Sequence, residues 1–509
     1  MKLDILFLDR PFDLKSKSEP QCFHDLNLDQ MVASICTSKE KQELNSVYYH
    51  LLSTPEEIRY RQDIFRELER DILIEEIQKF ISGMNALEEK KKQIEKLYAL
   101  RQKQRYFVDM ILFYIKVIQE LEQYISVMCF NAEGFRQLQS YLKDFVRDER
   151  ICECQKRGND LIRELESIKY CVHIKGTLVE VKPFEEEEDY GELISHIFER
   201  FRQGEVKDYL YQKFAGGIQM NHIEEQILEC VAKIYPQAFQ KLKEFYDNYQ
   251  DLFDQKIERF YREIPFYLSY RDYIQGQRNK GIKFCYPVIN EVRNRVLVEQ
   301  SCDIVLAEKM ASENKKIVCN DFQYRPGENI LLIQGPNQGG KTTFARMVGQ
   351  LFYLSCLGCP VPGKYVELPL CDQVYTHFEK EENVNEKHSK LQEDLFRMKR
   401  ILDQATEQSV IIMNETFSST ALYDAVYLAK RIIDRILNKN CLGVYVTFLD
   451  ELCKYHNAIV SMVSCVTNDV ERTRTYRIMR KEFNGCAYAQ SIAEKYHLTY
   501  SCIKKRVKR

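Results

Sequence analysis

The stretch Ile330-Leu331-Leu332-Ile333-Gln334 followed by Gly335-Pro336-Asn337-Gln338-Gly339-Gly340-Lys341-Thr342-Thr343 constrains the fold more than any other part of this 509-residue chain. An unbroken apolar run ending in a glycine turn predicts a buried strand, and the G-x-x-x-x-G-K-[ST] pattern after it predicts a phosphate-binding loop. The chemistry explains the residue types. Glycines let consecutive backbone N–H groups curl around phosphate oxygens, Lys341 brings a point charge, and Thr342 offers a hydroxyl to Mg²⁺. Phe344 to Leu354 then reads as a helix whose N-terminus faces the anion. A strand, a phosphate loop and a helix in that order predict an α/β nucleotide-binding domain.

A second strand must present the other half of such a site. Ser409-Val410-Ile411-Ile412-Met413 ends in Asn414-Glu415, where a phosphate-loop protein needs a metal ligand followed by a group that polarises water. Thr342 and Asn414 are therefore the metal candidates and Glu415 the catalytic candidate. A neutral amide oxygen at Asn414 binds a hard cation less strongly than a carboxylate would. Further strands are predicted at Cys441–Thr447 and Ala458–Val463, alternating with helices as in a parallel sheet.

Before about residue 300 the texture differs. Thr54 can cap a helix with Pro55 at its first position, and long helices are predicted across Phe107–Met128 and through Leu242, Phe245, Tyr249, Leu252, Phe253, Ile257 and Phe260. Tyr170–Phe184 alternates apolar and polar residues around Gly176, which predicts a hairpin interrupting the helices. The acidic run Glu185–Asp189 reads as a solvated loop. The expected fold is thus multidomain: a mostly α-helical region over 1–300, carrying the small hairpin near 170–184, then an α/β P-loop domain over 301–509.

Composition narrows the function classes. Lys+Arg 74 against Asp+Glu 76 leaves a formal charge of -2, so no global basic field points to nucleic acid. Eighteen cysteines and a polar opening, Met1-Lys2-Leu3-Asp4, fit a reducing cytoplasm. No membrane partner is expected: the most apolar segment, Tyr106–Met128, is broken by Asp109, Lys116, Gln119 and Glu120. Cys356-x-x-Cys359 lacks a second pair at ligand spacing and lies behind the phosphate-loop helix, so it reads as core and turn.

The motifs together resemble the ATPase domain of the MutS family, specifically its shorter members without the mismatch-recognition domain. Gly335–Thr343 is similar to the family's G-P-N-M-G-G-K-S-T, Val318-Cys319-Asn320-Asp321 to its adenine-side segment, and Gly358–Gly363 to its G-x-x-V-P-A turn. Asn414-Glu415 with Thr420, Tyr423 and Asp424 resembles D-E-x-G-R-G-T-S-x-Y-D-G, and Gly485–Ala493 the closing S-Y-G-I-x-V-A helix. Looser likenesses at Asp25–Asp29 and Ile58–Gln62 extend it upstream to the helical core and lever region. No Phe-x-Glu wedge precedes Asp25, so mismatch reading is not expected. Nor is a nuclease-type C-terminal extension.

The resemblance implies an ABC-like ATPase that binds ATP and Mg²⁺, works as a homodimer and closes on DNA. It implies nucleotide contacts at Asn320, Gly335, Pro336, Asn337, Gln338, Gly339, Gly340, Lys341, Thr342, Thr343 and Thr420, the last reaching the partner's nucleotide. The segments Glu379–Glu382 and Glu386–Ser389 fall where the family has a loop that closes on the dimer partner. Three departures bear on rate. Asn414 replaces Asp; Phe417, Ser419 and Ala425 replace glycines; Thr447-Phe448-Leu449-Asp450-Glu451-Leu452 replaces T-H-x-H-E-L, and Phe448 cannot hydrogen-bond a γ-phosphate. The expectation is weak, DNA-dependent ATP hydrolysis with binding retained. The alternative is a nucleotide-stabilised scaffold with negligible hydrolysis whose helical half binds a protein. The tail Lys504–Arg509 reads as a frayed end.

Overall fold

A computed structural model describes residues 4–7, 18–36, 44–176, 178–185, 220–290, 295–379, 389–418, 420–466, 474–481, 498–500 and 503–504. The described residues divide into two compact units, one within Arg70–Arg262 and the other within Asp4–Glu69 together with Glu263–Arg509.

The first unit is helical. Leu100–Ser126 buries Phe107, Ile111, Tyr114, Ile118, Leu121 and Ile125, a stripe at spacings of three and four that faces Asp71–Glu95 and Glu133–Arg147. Gly83 lets Asp71–Glu95 approach closely: a Cβ there would lie 2.7 Å from a Val117 methyl. Tyr170–Lys175 and Leu178–Pro183 form the expected antiparallel hairpin, with Gly176 at φ +65° in the turn. Of the acidic run only Glu185 lies among the described residues.

One expected helix is two. Pro236–Tyr249 ends, and Gln255–Arg278 begins beyond Asp254. The Asp254 carboxylate accepts from the N–H groups of Lys256 (2.9 Å) and Ile257 (3.0 Å), while its own N–H donates to the Tyr114 hydroxyl at 3.0 Å. A cap that satisfies the first N–H groups restarts a helix, so an apolar stripe that runs on at helical spacing does not guarantee a continuous one.

In the second unit, Thr54 caps Pro55–Glu67 as its sequence predicts, accepting from Glu57 N–H at 3.2 Å. Thr54→Ala should cost about 1 kcal/mol of unfolding free energy. A lower denaturant midpoint at unchanged slope is the expected readout, and an unmoved midpoint would refute the cap's contribution. The same helix buries Arg61 completely, and its guanidinium donates to the carbonyls of Leu357 (2.8 Å) and Leu6 (2.6 Å).

The unit's main sheet has six strands. In chain order its elements are β1 (Ile330–Gln334), α1 (Lys341–Cys356), β2 (Val374–Phe378), α2 (Lys390–Gln404), β3 (Val410–Asn414), α3 (Leu422–Asn438), β4 (Leu442–Val446), β5 (Ile459–Val466) and β6 (Arg474–Arg480). The strand order is β2-β3-β4-β1-β5-β6, parallel throughout except for the antiparallel β5–β6 pair. β1, β3 and β4 are buried along their whole length, as expected of strands covered on both faces. A four-stranded sheet sits beside it, ordered Val288–Asn290, Tyr365–Pro369, Val296–Ser301, Asn320–Tyr324.

Parallel pairing puts the carboxyl ends of β1, β3 and β4 at one edge, where ligands of open α/β sheets bind. α1 is held there from several sides. Gly349 packs within van der Waals reach of Leu26 and Ile412, with no room for a Cβ, and Gln350 donates to Leu26 O at 2.8 Å and Asp303 Oδ1 at 3.0 Å. Cys356 and Cys359 are buried where α1 ends, the second pushed up to about 12 by burial. Among the described residues no helix is long and apolar enough to cross a membrane, and no His, Cys, Asp or Glu cluster is arranged to hold a metal.

Candidate functional site

The turn after β1 is shaped by contacts only glycine allows. Gly335 has φ +132°, and a Cβ there would lie 2.8 Å from Ser464 Cβ; at Gly339 it would lie 2.5 Å from Ser464 Oγ, which donates to the Gly339 carbonyl at 2.7 Å. Gly340, at φ +89°, stands at the N-cap of α1, so the loop delivers Lys341 and Thr342 to the positive end of a sixteen-residue helix.

Lys341 is almost completely buried. Its ammonium donates to the carbonyls of Gly335 (3.0 Å) and Pro336 (3.1 Å), and the Phe448 ring covers it with its centroid 4.3 Å away. Burial lowers its pKa, with the Glu415 carboxylate opposing. This is a cation held by dipoles and a ring face, with room in its coordination for an anion.

Thr342 and Asn414 meet across α1 and β3: the Thr342 hydroxyl donates to Asn414 Oδ1 at 3.1 Å. Glu415 follows at φ +54°, accepts no more than a half-buried position and faces the same cavity as Lys341. Phe417, at φ +64°, takes a left-handed conformation that costs a residue with a side chain roughly 1–2 kcal/mol. Its ring is buried in the core cluster with Met413, Ile433 and Leu452, which offsets that strain. Thr416 Oγ1 lies 3.4 Å from Nδ1 of His377, whose pKa burial drives down to about 4, leaving the imidazole neutral at pH 7.

The cavity in front of these groups measures about 700 Å³. Asn320, Asn337, Gln338, Gly340, Lys341, Thr342, Thr343 and Glu415 line it. Gly335, Pro336, Gly339 and Asn414 sit just behind as loop and strand backbone, and Thr420 lies outside the lining, its N–H weakly bonded to Phe417 O at 3.4 Å.

Two contributors had no local signal. Tyr476 on β6, at φ +57°, lines the cavity beside Gly340, and the Asn320 amide pins it by donating to Tyr476 O (3.2 Å) and accepting from Ile478 N–H (2.7 Å). Arg474 on the same strand donates to Gln338 Oε1 at 2.8 Å. The opposite wall is apolar: Leu306, Met310, Val318, Phe344 and Met347. Antiparallel pairing of β6 with β5 is what brings Arg474 and Tyr476 here.

Residues 331–504 match the family model MutS domain V. The DNA mismatch repair protein MutS of Clostridioides difficile (strain 630) is 28% identical over 238 residues, covering 46% of this chain and 24% of that protein. The MutS of Clostridium botulinum (strain Okra / Type B1) is 27% identical over 276 residues, covering 53% and 29%. For MutS of Caldanaerobacter subterraneus subsp. tengcongensis the identity is 24% over 293 residues, covering 56% and 33%.

Over residues 331–504 this chain matches the MutS family. Its matched stretch spans about a quarter to a third of the length of these MutS relatives. Within the MutS pattern the departures now have geometry. Phe417, where the MutS pattern has glycine, takes a left-handed backbone, and Asp450 accepts from the Gln334 amide at 3.0 Å, tying the segment after β4 to the end of β1. Phe448, in place of the MutS histidine, rests on Lys341. The likenesses at Gly485–Ala493 and within residues 380–388 lie outside the described residues; Glu379, at the margin of the latter, accepts from Lys390 (2.7 Å) and Ser418 (2.7 Å).

Proposed function

We propose that this chain is an ATP- and DNA-binding protein of the MutS type: a homodimeric, ATP-gated clamp acting in DNA repair or recombination, with weak, DNA-dependent ATP hydrolysis. The observation that carries the reading is the convergence of Lys341, Thr342, Asn414 and Glu415 on one cavity edge in a chain matching MutS domain V. Loop N–H groups and Lys341 would hold the phosphates. The oxygens of Thr342 and Asn414 fit a hard cation, and Mg²⁺ there would neutralise phosphate charge. Glu415 would orient water, and Thr420, outside this cavity, would serve the partner's nucleotide. Helices of residues 1–300 would enclose DNA, and the 301–509 region would gate them.

One pair of contacts favours a second reading, a nucleotide-locked scaffold that binds a protein partner. The amide at Asn414 and the ring on Lys341 would both slow turnover more than they weaken binding.

ATP turnover without DNA, with homoduplex and with branched DNA, measured beside nucleotide affinity, separates the two. Turnover that rises with DNA is the expected result. Clamp binding through four phosphates should also weaken about a hundredfold between about 50 and 200 mM salt. Tight nucleotide binding with flat turnover and salt-insensitive DNA binding would establish the scaffold instead.

A further inference from the structure

Two cysteines, Cys302 in the cavity's lining and Cys319 between the lining residues Val318 and Asn320, flank the last pair of one ladder, and the phosphate chemistry uses neither thiol. Strand Val296–Ser301 pairs antiparallel with Asn320–Tyr324 in the register Ser301↔Asn320. Cys302 directly follows Ser301 and Cys319 directly precedes Asn320, so the two cysteines extend from the same end of the ladder. Opposed residues of an antiparallel ladder have Cα atoms about 4.5–5.5 Å apart, inside the span a disulfide bridges. The two thiols are neighbours, each acting on the other's ionisation.

Their environments differ as a reactive and a resolving thiol should. Cys302 is buried, directly before Asp303, whose carboxylate caps the helix Ile304–Ser312. Cys319 is exposed to solvent. The hydrogen bond from Cys302 lowers its pKa to about 7, against burial and Asp321, with Lys283 assisting. Cys302 itself lines the nucleotide cavity, and so do Val318 and Asn320 on either side of Cys319.

We propose that Cys302 and Cys319 are a hydroperoxide-sensitive dithiol whose closure weakens ligand binding in the cavity they border. The Cys319 thiolate attacks one oxygen of hydrogen peroxide; the O–O bond breaks, hydroxide leaves, and Cys319 becomes a sulfenic acid. The Cys302 sulfur then displaces the hydroxyl as its own proton joins it, so the S–S bond forms, the S–O bond breaks and water leaves. In sum two thiols give two electrons to one peroxide and two waters form. The crosslink ties Val318–Asn320 to the start of the Ile304–Ser312 helix and restricts the adjustment of this wall, which lowers the fraction of molecules able to fit a ligand. The affinity effect rests on the nucleotide-site reading; the disulfide does not.

The test uses the full reduced chain with hydrogen peroxide, peptide mass mapping and titration with a fluorescent ATP analogue. Expected are a Cys302–Cys319 crosslinked peptide and affinity weaker by about tenfold, both reversed by dithiothreitol and both absent in Cys319→Ser. Cys302→Ser should leave Cys319 as a sulfenic acid that dimedone traps. Oxidation of the exposed Cys129, Cys152 and Cys230 with no Cys302–Cys319 crosslink would overturn the dithiol. A crosslink with unchanged affinity would overturn its effect on the cavity. If the reduced chain binds no analogue, the nucleotide reading and the coupling fall together, and the crosslinked peptide alone decides the dithiol.

Discussion

Lys341→Ala should remove nucleotide binding, lowering affinity by at least about a hundredfold, some 3 kcal/mol. The ammonium is buried against two loop carbonyls and a ring, a setting in which its charge is poorly satisfied until an anion arrives. A phosphate would supply the missing counter-charge in a low-dielectric site, where a charge-assisted hydrogen bond is strongest. Alanine deletes that charge but leaves Gly335, Gly339 and Gly340 in place, so fold and loop geometry should persist. Calorimetric titration with ATP checks the affinity, and circular dichroism with a thermal melt checks the fold. Affinity within about threefold of the original, in a folded variant, would sink the assignment of this loop as the nucleotide site.

What the sequence made legible was whatever depends on neighbours in the chain. The cap at Thr54, the hairpin around Gly176 and the strands at β1, β3, β4 and β5 follow from local spacing and appear within a residue or two of their expected limits, β5 running three residues longer at its end. The meeting of Thr342 with Asn414 was legible too, because a parallel sheet forces the ends of β1 and β3 to one edge. What was not legible depends on distant partners. The helix break at Asp254 needs the Tyr114 hydroxyl, 140 residues away. Tyr476 reaches the loop at Gly340 through strand pairing and the Asn320 amide. That residues 4–69 share a unit with residues 263–509 rests on contacts such as Arg61 with Leu357, which no local pattern announces. Phe417 shows the limit most directly: a phenylalanine in a glycine conformation is unreadable until the core that buries its ring is known.

Asn414→Asp should raise ATP turnover at saturating Mg²⁺, by about tenfold, or ~1.4 kcal/mol of barrier. The substitution is nearly isosteric, and the Thr342 hydroxyl that donates to Asn414 Oδ1 can donate equally to a carboxylate. What changes is charge beside two oxygens that fit a hard cation, and a carboxylate binds Mg²⁺ more tightly than an amide does. Asn414 is only 9% exposed, so the new carboxylate should lower stability when no cation is present, since a buried unpaired charge is costly. Mg²⁺ with nucleotide should restore more stability in the variant than in the parent. Thermal melts with and without Mg²⁺ therefore report on the site independently of turnover. The gain should vanish in Asn414→Asp combined with Glu415→Gln, because Glu415 is the cavity carboxylate that acts on Lys341. Phe448 on Lys341 stays as a second brake, which keeps the expected gain modest. Unchanged turnover at saturating Mg²⁺, with no Mg²⁺-dependent gain in stability, would place the slow step elsewhere and turn the balance toward the nucleotide-locked scaffold.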